Sequence, residues 1–232
     1  MQSVERQVIA IEKYGPAKSL KLKQRPADPV GDDDVAIAVK YSGINFADIQ
    51  MRLGFYPDAP KRPFVPGYEV SGTVRQVGKN VSRFKVGDPV VAGTYFGGYA
   101  SQVTVPAIQA FALPASNDLA SAAALPVSFF TAQLALFEMG RIRAGDRVLI
   151  ECATGGVGTL AVQMAKHVGA QVVGLTTTAS KKEYIAALGA TPYTREEFFA
   201  DPSVGGFDFI LQASGGKEIR RQFPRLGLTR RM

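Results

Sequence analysis

A glycine-rich turn carries the clearest chemical signal in the sequence. Residues 153–158 have the sequence A-T-G-G-V-G, which matches the dinucleotide pattern G-x-G-x-x-G except that Ala153 stands at the first glycine. In that pattern Gly155 lets the backbone approach a pyrophosphate, and Gly158 lets the following helix pack closely with its N-terminus toward the phosphate. The turn therefore predicts a dinucleotide site formed by Gly155, Gly156, Val157 and Gly158, although a purely structural turn is the alternative.

The elements around this turn supply the context that the pattern requires. The apolar run at residues 147–150 predicts a buried strand before it, residues 159–168 predict an apolar-striped helix after it, and residues 171–175 predict a second strand. A strand, a glycine turn, a helix and a strand in this order are typical of a parallel α/β sheet. Residues 207–211 are predicted to form the fourth strand of that sheet.

The stretch after the second strand bears on which dinucleotide would bind. An NAD-preferring fold usually carries Asp or Glu about 20 residues after the glycines, and Leu175 stands there in this chain. No acidic residue occurs between Gly158 and Glu183. Hydroxyl and ammonium groups, which suit the 2′-phosphate of NADPH, are supplied instead by Thr176, Thr177, Thr178, Ser180, Lys181 and Lys182. The alternative is that the two lysines only decorate a solvated helix start.

The two halves of the chain have different sequence patterns. Up to about Pro114, period-two apolar runs such as residues 35–39 and 70–74 alternate with Gly and Pro turns, which predicts a small β-barrel. From Arg147 the pattern is that of the parallel α/β sheet. Between the halves, residues 120–139 are predicted to be helical on either side of Pro126, and residues 119–137 are predicted to form buried core rather than a membrane span. This segment is expected to floor a cleft between the two domains.

Composition and charge exclude several classes of protein. With 46% hydrophobic and 20% charged residues, the 232-residue chain has a globular composition. The N-terminal residues lack the apolar core of a signal peptide, and Cys152 has no partner for a disulfide, so a cytoplasmic location is predicted. Five of the seven surplus positive charges follow Ile219 and are interpreted as a solvated end rather than a nucleic-acid-binding arm. They belong to Arg220, Arg221, Arg225, Arg230 and Arg231.

Short motifs from both halves identify a family resemblance. They stand at residues 43–48 (GINFAD), 52–57 (RLGFYP), 66–69 (PGYE), 86–88 (VGD), 124–126 (ALP), 131–132 (TA) and 153–158 (ATGGVG). Together they resemble the medium-chain dehydrogenase/reductase superfamily, specifically its zinc-independent, zeta-crystallin-like quinone oxidoreductase branch. Within that branch, residues 45–48 (NFAD) and 96–100 (FGGYA) favour the vesicle amine transport protein subgroup.

The resemblance implies a fold of class β plus α/β. An N-terminal GroES-like β-barrel substrate domain would occupy residues 1–125, and an incomplete Rossmann doubly wound parallel sheet, a partial NADP-binding domain, would occupy residues 126–232. The resemblance also implies NADPH as cofactor and a small quinone or enone as substrate. By matching motif positions, it places Asn45, Asp48 and Tyr56 around the substrate and nicotinamide, and Thr131 against the nicotinamide amide.

The ligands of zinc-dependent relatives are replaced in this sequence. Those relatives carry Cys where Asn45 stands and His where Tyr68 stands. A zinc site needs several Cys, His or carboxylate ligands, and the chain contains only Cys152 and His167 of the first two types. Both are interpreted as structural, so the sequence predicts zinc-independent chemistry and no metal ligands.

The predicted reaction is hydride transfer from a nicotinamide to an electron-poor carbon, with the protein supplying position and hydrogen bonds. The enolate oxygen that develops needs a donor or a proton, for which Tyr56 and Asn45 are the candidates. From the residues alone, Asn45 and Asp48 equally suit the capping of a helix beginning near Phe46, and Tyr56 equally suits packing. The alternative function is a non-catalytic dinucleotide-binding or interaction protein, or an inactive fragment, on the same scaffold.

The sequence also predicts an unfinished nucleotide fold. The full fold has the strand order 3-2-1-4-5-6, and this chain is expected to build strands 3, 2, 1 and 4 only. Residues 207–211 would then be an exposed sheet edge, followed by a tail that departs from the family pattern. A family-type homodimer is not expected, because the strands that join the subunits would be missing.

Overall fold

The chain divides into two units, residues 1–127 and 128–232. The computed structural model describes residues 5–114 and 116–231, with the backbone alone for residues 228–231. The division falls two residues after the predicted boundary between residues 125 and 126. Residues 1–4, which contributed to the predicted location, and the side chains of Arg230 and Arg231 lie outside the described part of the chain.

The first unit is built mainly from β-strands, as predicted. Its strands are β1 (Glu5–Ile11), β2 (Leu20–Pro26), β3 (Asp34–Ser42), β4 (Glu69–Val77), β5 (Pro89–Gly93), β6 (Gln102–Pro106) and β7 (Ala110–Ala112). Strands β1 and β2 pair with each other, and the rest form an antiparallel sheet in the order β6-β3-β4-β5-β7. Alternate residues such as Val35 and Ile37 lie in one buried core with Val70 and Val74. Alternate residues of a strand point to the same face, which is the physical origin of the period-two pattern.

Three helices and a π-helical turn occur up to residue 139, and the third helix crosses into the second unit, where the π-helical turn lies. They are α1 (Phe46–Leu53), α2 (Leu119–Ala122), α3 (Pro126–Gln133) and the π-helical residues Leu134–Met139. Helical structure on both sides of Pro126 is thereby confirmed, and the proline stands at the first helical position, where its missing N–H costs no hydrogen bond.

The expectation that residues 119–137 form buried core was wrong for one face of the segment. Ala132 and Leu136 are buried, whereas three large apolar side chains after Pro126 are 43% to 54% exposed: Phe129, Phe130 and Leu134. Helical period places every third or fourth residue on the core side, so an apolar sequence alone does not show which side is covered. No helix within residues 5–114 and 116–231 is long and apolar enough to cross a membrane.

The second unit is a parallel α/β sheet, as predicted. Its strands are β8 (Arg147–Ile150), β9 (Gln171–Thr176), β10 (Thr191–Thr194), β11 (Phe207–Leu211) and β12 (Leu226–Arg231), and its helices are α4 (Gly156–His167), α5 (Lys182–Ala187), α6 (Arg195–Ala200) and α7 (Lys217–Gln222). The strand order is β10-β9-β8-β11-β12, with every pair parallel. Strands β9 and β10 are added on one side of β8, and β11 and β12 are added on the other side. The switch point of this doubly wound fold therefore lies between β8 and β11.

Strand β8 is buried on both faces. Val148 and Ile150 belong to one apolar core, together with Val162 of α4. Leu149 points the other way, into a second core that contains Phe198 of α6. Burial on both sides explains why this strand is a continuous apolar run instead of an alternating one.

The prediction that β11 is a sheet edge was wrong. Strand β12 pairs with it in parallel through Phe207 opposite Leu226 and Phe209 opposite Arg231, with an irregular register between them. The unpaired backbone groups of an edge strand favour such an added partner. Strand β12 was not predicted, because the arginines within L-G-L-T-R-R are typical of a solvated end.

The arginine-rich segment is also less solvated than predicted. Arg225 Nη1 donates to the carbonyl oxygens of Asp201 at 2.8 Å and Val204 at 2.9 Å. Its guanidinium lies 5.2 Å from the centroid of the Phe198 ring. Planar guanidinium groups suit this combination of several acceptors and an aromatic face. Arg225 therefore secures the connection between α6 and β11.

We predict that Arg225→Met lowers the free energy of unfolding by about 1–3 kcal/mol, because two carbonyl groups lose their donor. Arg220→Met removes an exposed guanidinium and should change that free energy by no more than about 0.5 kcal/mol. Urea denaturation of the two variants measures both values. Equal effects at the two positions would show that Arg225 is as solvated as the sequence suggested.

Candidate functional site

Asn45 and Asp48 stand at the N-terminus of α1, where the capping hypothesis placed them. Asn45 precedes the helix with an extended backbone, and Asp48 Oδ2 accepts a hydrogen bond from the Asn45 backbone N–H at 2.8 Å. The buried Asp48 carboxylate also accepts from the backbone N–H of Gly67 at 3.1 Å and from the Tyr99 hydroxyl at 3.2 Å. Asp48 therefore ties α1 to two distant loops as well as capping it.

The Asn45 side chain contacts a second buried carboxylate. Its Nδ2 donates to Glu69 Oε1 at 2.8 Å. Glu69 begins β4 and is only 1% exposed, and its Oε2 accepts from the backbone N–H of Val127 at 2.8 Å. A Cβ at Gly43 would overlap Glu69 Oε1, so only glycine fits beside this carboxylate. Asn45 and Asp48 are thus brought together with two residues that the sequence analysis missed, Glu69 and Tyr99.

Burial dominates the electrostatics of this network. Desolvation raises the pKa of Asp48, against hydrogen bonds from Asn45, Tyr99 and Gly67 that favour the charged form. Desolvation likewise raises the pKa of Glu69, and hydrogen bonds from Val127 and Asn45 oppose it. Neither carboxylate has an ion-pair partner among residues 5–114 and 116–231. Burial, and then the negative charge of Asp48, raises the pKa of Tyr99, so its hydroxyl stays protonated and donates.

Tyr56 lies beside Tyr68 rather than in the carboxylate network. The two rings meet edge to face with centroids 6.4 Å apart, and both pack against the core residues Met51 and Phe64. Desolvation, followed by a hydrogen bond with Tyr56, raises the pKa of Tyr68. Tyr56 therefore packs against this core and also brings its phenol next to that of Tyr68.

The glycine turn begins α4 in the predicted manner. Gly155 precedes the helix with extended backbone (φ −83°, ψ 171°). A Cβ at Gly158 would overlap the carbonyl oxygen of Cys152 and crowd Ala153, whereas a Cβ at Gly155 would only approach that oxygen to 3.3 Å. Gly158 therefore serves packing between β8 and α4, while Gly155 has a single close neighbour. The backbone N–H groups of the first helical turn, which have no acceptor within the helix, favour an anion there.

A cavity of about 230 Å³ opens where β8 and β9 end. Its lining includes two cationic side chains, Lys181 and Arg195, and no carboxylate. Of the predicted hydroxyl residues, Thr176 and Thr177 line it, and Thr176 Oγ1 accepts from the backbone N–H of Thr178 at 3.1 Å. Beyond these, the lining consists of Cys152, Thr154, Gly155 and Leu175.

Three predicted groups lie elsewhere. Ser180 is exposed on the short 3₁₀ turn Ala179–Lys181 and does not line this cavity. Lys182 donates to Glu197 at 2.7 Å, which leaves Lys181 as the lysine of the pair that faces the cavity. Thr131 is exposed on α3.

Arg195 is held in place by a buried carboxylate that the sequence analysis did not single out. Its Nη2 donates to Glu151 Oε1 at 3.1 Å and to Ser214 Oγ at 2.8 Å. The side chain of Glu151 is fully buried and accepts further bonds from Gln212 Nε2 at 2.9 Å and Gln222 Nε2 at 3.1 Å. The signal in the sequence was an acidic residue directly after a buried strand, where only a network of donors would tolerate it.

The structural interpretation of Cys152 needs correction. It lies in the turn after β8, not in the strand, and is exposed with a left-handed backbone (φ 52°) while lining the cationic cavity. Strand β8 ends at Ile150, as the apolar run predicted, and Glu151 separates it from Cys152. His167 ends α4 and is exposed. No group of three or more His, Cys, Asp or Glu side chains within the described ranges is placed to hold a metal ion.

A β-rich unit followed along the chain by a parallel sheet with a glycine turn is the architecture of a two-domain protein with a Rossmann-type dinucleotide-binding fold. Residues 31–115 match the alcohol dehydrogenase GroES-like domain, and residues 156–223 match the zinc-binding dehydrogenase family. This chain belongs to the medium-chain dehydrogenase/reductase superfamily.

Individual relatives agree with this assignment. The chain is 35% identical to the quinone oxidoreductase of Sus scrofa over 213 residues, which are 91% of this chain and 63% of the relative. It matches the crystal structure of the human synaptic vesicle membrane protein VAT-1 homolog-like protein with a TM-score of 0.81 and 30% identity, covering 90% of this chain and 68% of that one. The match to the CurK enoyl reductase has a TM-score of 0.88 and 29% identity, covering 96% and 71%. Against the VAT-1 homologs of Danio rerio and Rattus norvegicus, the chain spans about half of their length, 45% and 54%.

We predict that Gly158→Ala destabilises the fold by about 1–3 kcal/mol or more, because the new methyl group overlaps backbone atoms that cannot move aside. Gly155→Ala should melt close to the unsubstituted chain, because its Cβ meets only one atom at 3.3 Å. Thermal unfolding of both variants, followed by circular dichroism, tests the distinction. A larger loss at Gly155 would reverse the roles given to the two glycines.

Proposed function

We propose that this chain is an NADPH-dependent oxidoreductase that transfers hydride to a quinone or an α,β-unsaturated carbonyl without zinc. The observation that carries the proposal is the carboxylate-free cavity beside the glycine turn, with Lys181 and Arg195 in its lining. Relatives named quinone oxidoreductase and enoyl reductase support the same reaction class. A cytoplasmic location, and the absence of nucleic-acid and family-type dimer partners, stay predictions from the sequence.

The residues present fit a dinucleotide phosphate group. The first turn of α4 offers backbone N–H groups for a pyrophosphate, and Gly155 has no side chain to block the approach of a ligand to the backbone. The ammonium of Lys181 and the guanidinium of Arg195 suit an additional phosphate on the ribose. When bound, NADPH supplies the hydride. Thr131, by its motif position, is proposed to contact the nicotinamide amide.

The substrate side of the proposal rests on Asn45, Asp48 and Tyr56. A donor is needed for the oxygen that gains charge as hydride reaches the acceptor. The Asn45 amide has a hydrogen left after bonding to Glu69, and Tyr56 carries a phenol beside Tyr68. The amide and phenol at positions 45 and 68 stand where zinc-dependent relatives have ligands, which supports a reaction that relies on hydrogen bonds.

We predict that NADPH binds more tightly than NADH and that Lys181→Ala narrows the ratio of the two dissociation constants about tenfold, or about 1.4 kcal/mol. Removing the Lys181 ammonium weakens the complex with NADPH, which carries the 2′-phosphate, and not the complex with NADH. Lys182→Ala is the matched control, because that ammonium is paired with Glu197, and should leave the ratio nearly unchanged. Fluorescence titration of the three proteins with both cofactors measures all six dissociation constants. Equal affinity of the unsubstituted chain for NADPH and NADH would refute the cofactor assignment.

We predict that Tyr56→Phe lowers turnover about 100-fold while the dissociation constant of NADPH stays the same, if the phenol assists the developing oxyanion. Tyr41→Phe, which changes an exposed phenol on β3, should leave turnover unchanged. The assay follows oxidation of NADPH with menadione, benzoquinone and cyclohexenone as acceptors. If Tyr56→Phe weakens NADPH binding and spares turnover, Tyr56 is a packing residue.

The same assay separates the two classes of function. An oxidoreductase consumes NADPH at a rate that saturates with at least one acceptor of the panel. A non-catalytic dinucleotide-binding protein binds NADPH in the titration but shows no turnover with any acceptor, and that result would overturn the proposed activity.

A further inference from the structure

Glu69 is a buried carboxylate for which the proposed reaction has no direct use. It is 1% exposed, so substrate cannot reach it, and yet one of its oxygens holds the side chain of Asn45. We propose that Glu69 is a positioning residue that fixes the orientation of the Asn45 amide and thereby determines which of its polar groups faces the substrate. This inference rests on the proposed function, in which Asn45 contacts the reacting oxygen.

The two hydrogen bonds of Glu69 leave its carboxylate no freedom to turn. Oε1 accepts from Asn45 Nδ2 and Oε2 accepts from the Val127 backbone N–H, each at 2.8 Å. The backbone N–H at the start of α3 is a fixed donor. The space on the remaining side is closed, because a Cβ at Gly43 would overlap Glu69 Oε1 and crowd the carbonyl oxygen of Ala123.

A fixed acceptor decides which end of an amide faces it. An ionised carboxylate only accepts hydrogen bonds, so the Asn45 nitrogen, and not its carbonyl oxygen, must face Glu69. One Nδ2 hydrogen is used there, which fixes the amide plane and leaves the second hydrogen and Oδ1 in defined places. Asn45 is half-buried, so the residue is not fully enclosed by protein.

Glu69→Gln tests this orientation with almost no change in size. The glutamine oxygen can satisfy the Val127 N–H, but its NH₂ group then faces Asn45, and two donors repel each other. The Asn45 amide should respond by turning over, which exchanges the places of Oδ1 and Nδ2. Asn45→Asp produces the opposite conflict, two carboxylates in contact, and the double variant Asn45→Asp/Glu69→Gln restores a donor opposite an acceptor.

The activity measurement compares the change in kcat with the change in the dissociation constant of NADPH. Glu69→Gln should lower kcat with menadione by about tenfold to hundredfold, with an unchanged dissociation constant for NADPH and a melting temperature close to that of the unsubstituted chain. The double variant should melt well above Asn45→Asp alone without recovering kcat. If Glu69→Gln keeps full kcat, or if kcat, NADPH affinity and melting temperature fall together, Glu69 has only a structural role and the inference fails.

A second readout needs no turnover. The side-chain amide signals of Asn45, identified in the ¹⁵N NMR spectrum by their loss in Asn45→Asp, should exchange slowly with solvent and titrate with a midpoint above 4.5, the ordinary pKa of Glu69. Asp48 on α1 and Tyr99 in the loop before β6 face the same network, so Asp48→Asn serves as the control. The Asn45 amide signals should still titrate in Asp48→Asn and should no longer titrate in Glu69→Gln. Turnover absent from the unsubstituted chain would refute the proposed function, and the exchange and titration would still decide whether Glu69 holds Asn45. Fast exchange without a titration would overturn the inference.

Discussion

The structure depends on one physical requirement, which is that a carboxylate taken out of water must find donors held in place by the surrounding backbone. Each unit contains such a group. In the first unit Glu69 joins the start of β4 to the Asn45 amide and to the first turn of α3. In the second unit Glu151 follows β8 and gathers donors from Arg195, from the loop after β11 and from Gln222. Both carboxylates therefore connect segments that no local rule would bring together.

These two networks also explain why the candidate site residues are ordered. Asn45 and Asp48 would be an ordinary helix cap if their partners were water, but here both carboxylates of the network are buried and the Tyr99 hydroxyl donates to one of them. Arg195 would be a flexible surface cation, but two hydrogen bonds hold its guanidinium at the cavity. A fixed donor or cation loses less entropy when a ligand binds than a mobile one does. The buried acids thus contribute to function through the residues they hold.

In the parallel sheet, apolar side chains likewise connect distant segments of the chain. Strand β8 places Leu149 on one face and Val148 and Ile150 on the other, so that helices from both sides cover it. Strand β12 pairs with β11 in parallel. Arg225 donates to the carbonyl oxygens of Asp201 and Val204, which lie in the connection between α6 and β11. The carboxyl ends of β8 and β9, beside the glycine turn, are left open, and this is where the cationic cavity lies.

The amino-acid sequence by itself determined the features that arise from local backbone geometry: the alternating strands of the first unit, the strand, glycine turn and helix at Gly155 and Gly158, and the cap formed by Asn45 and Asp48. Their signals repeat with the period of a strand or a helix, or depend on residues a few positions apart. Only the tertiary structure decided which residues complete the site. Glu69 lies 24 residues from Asn45, and Arg195 lies 44 residues from Glu151. A polar side chain carries no local mark of the partner it will have when buried, because that partner is chosen by long-range packing. The same reason hid β12 and Arg225, whose charges suggested a solvated end until the sheet and α6 supplied their acceptors.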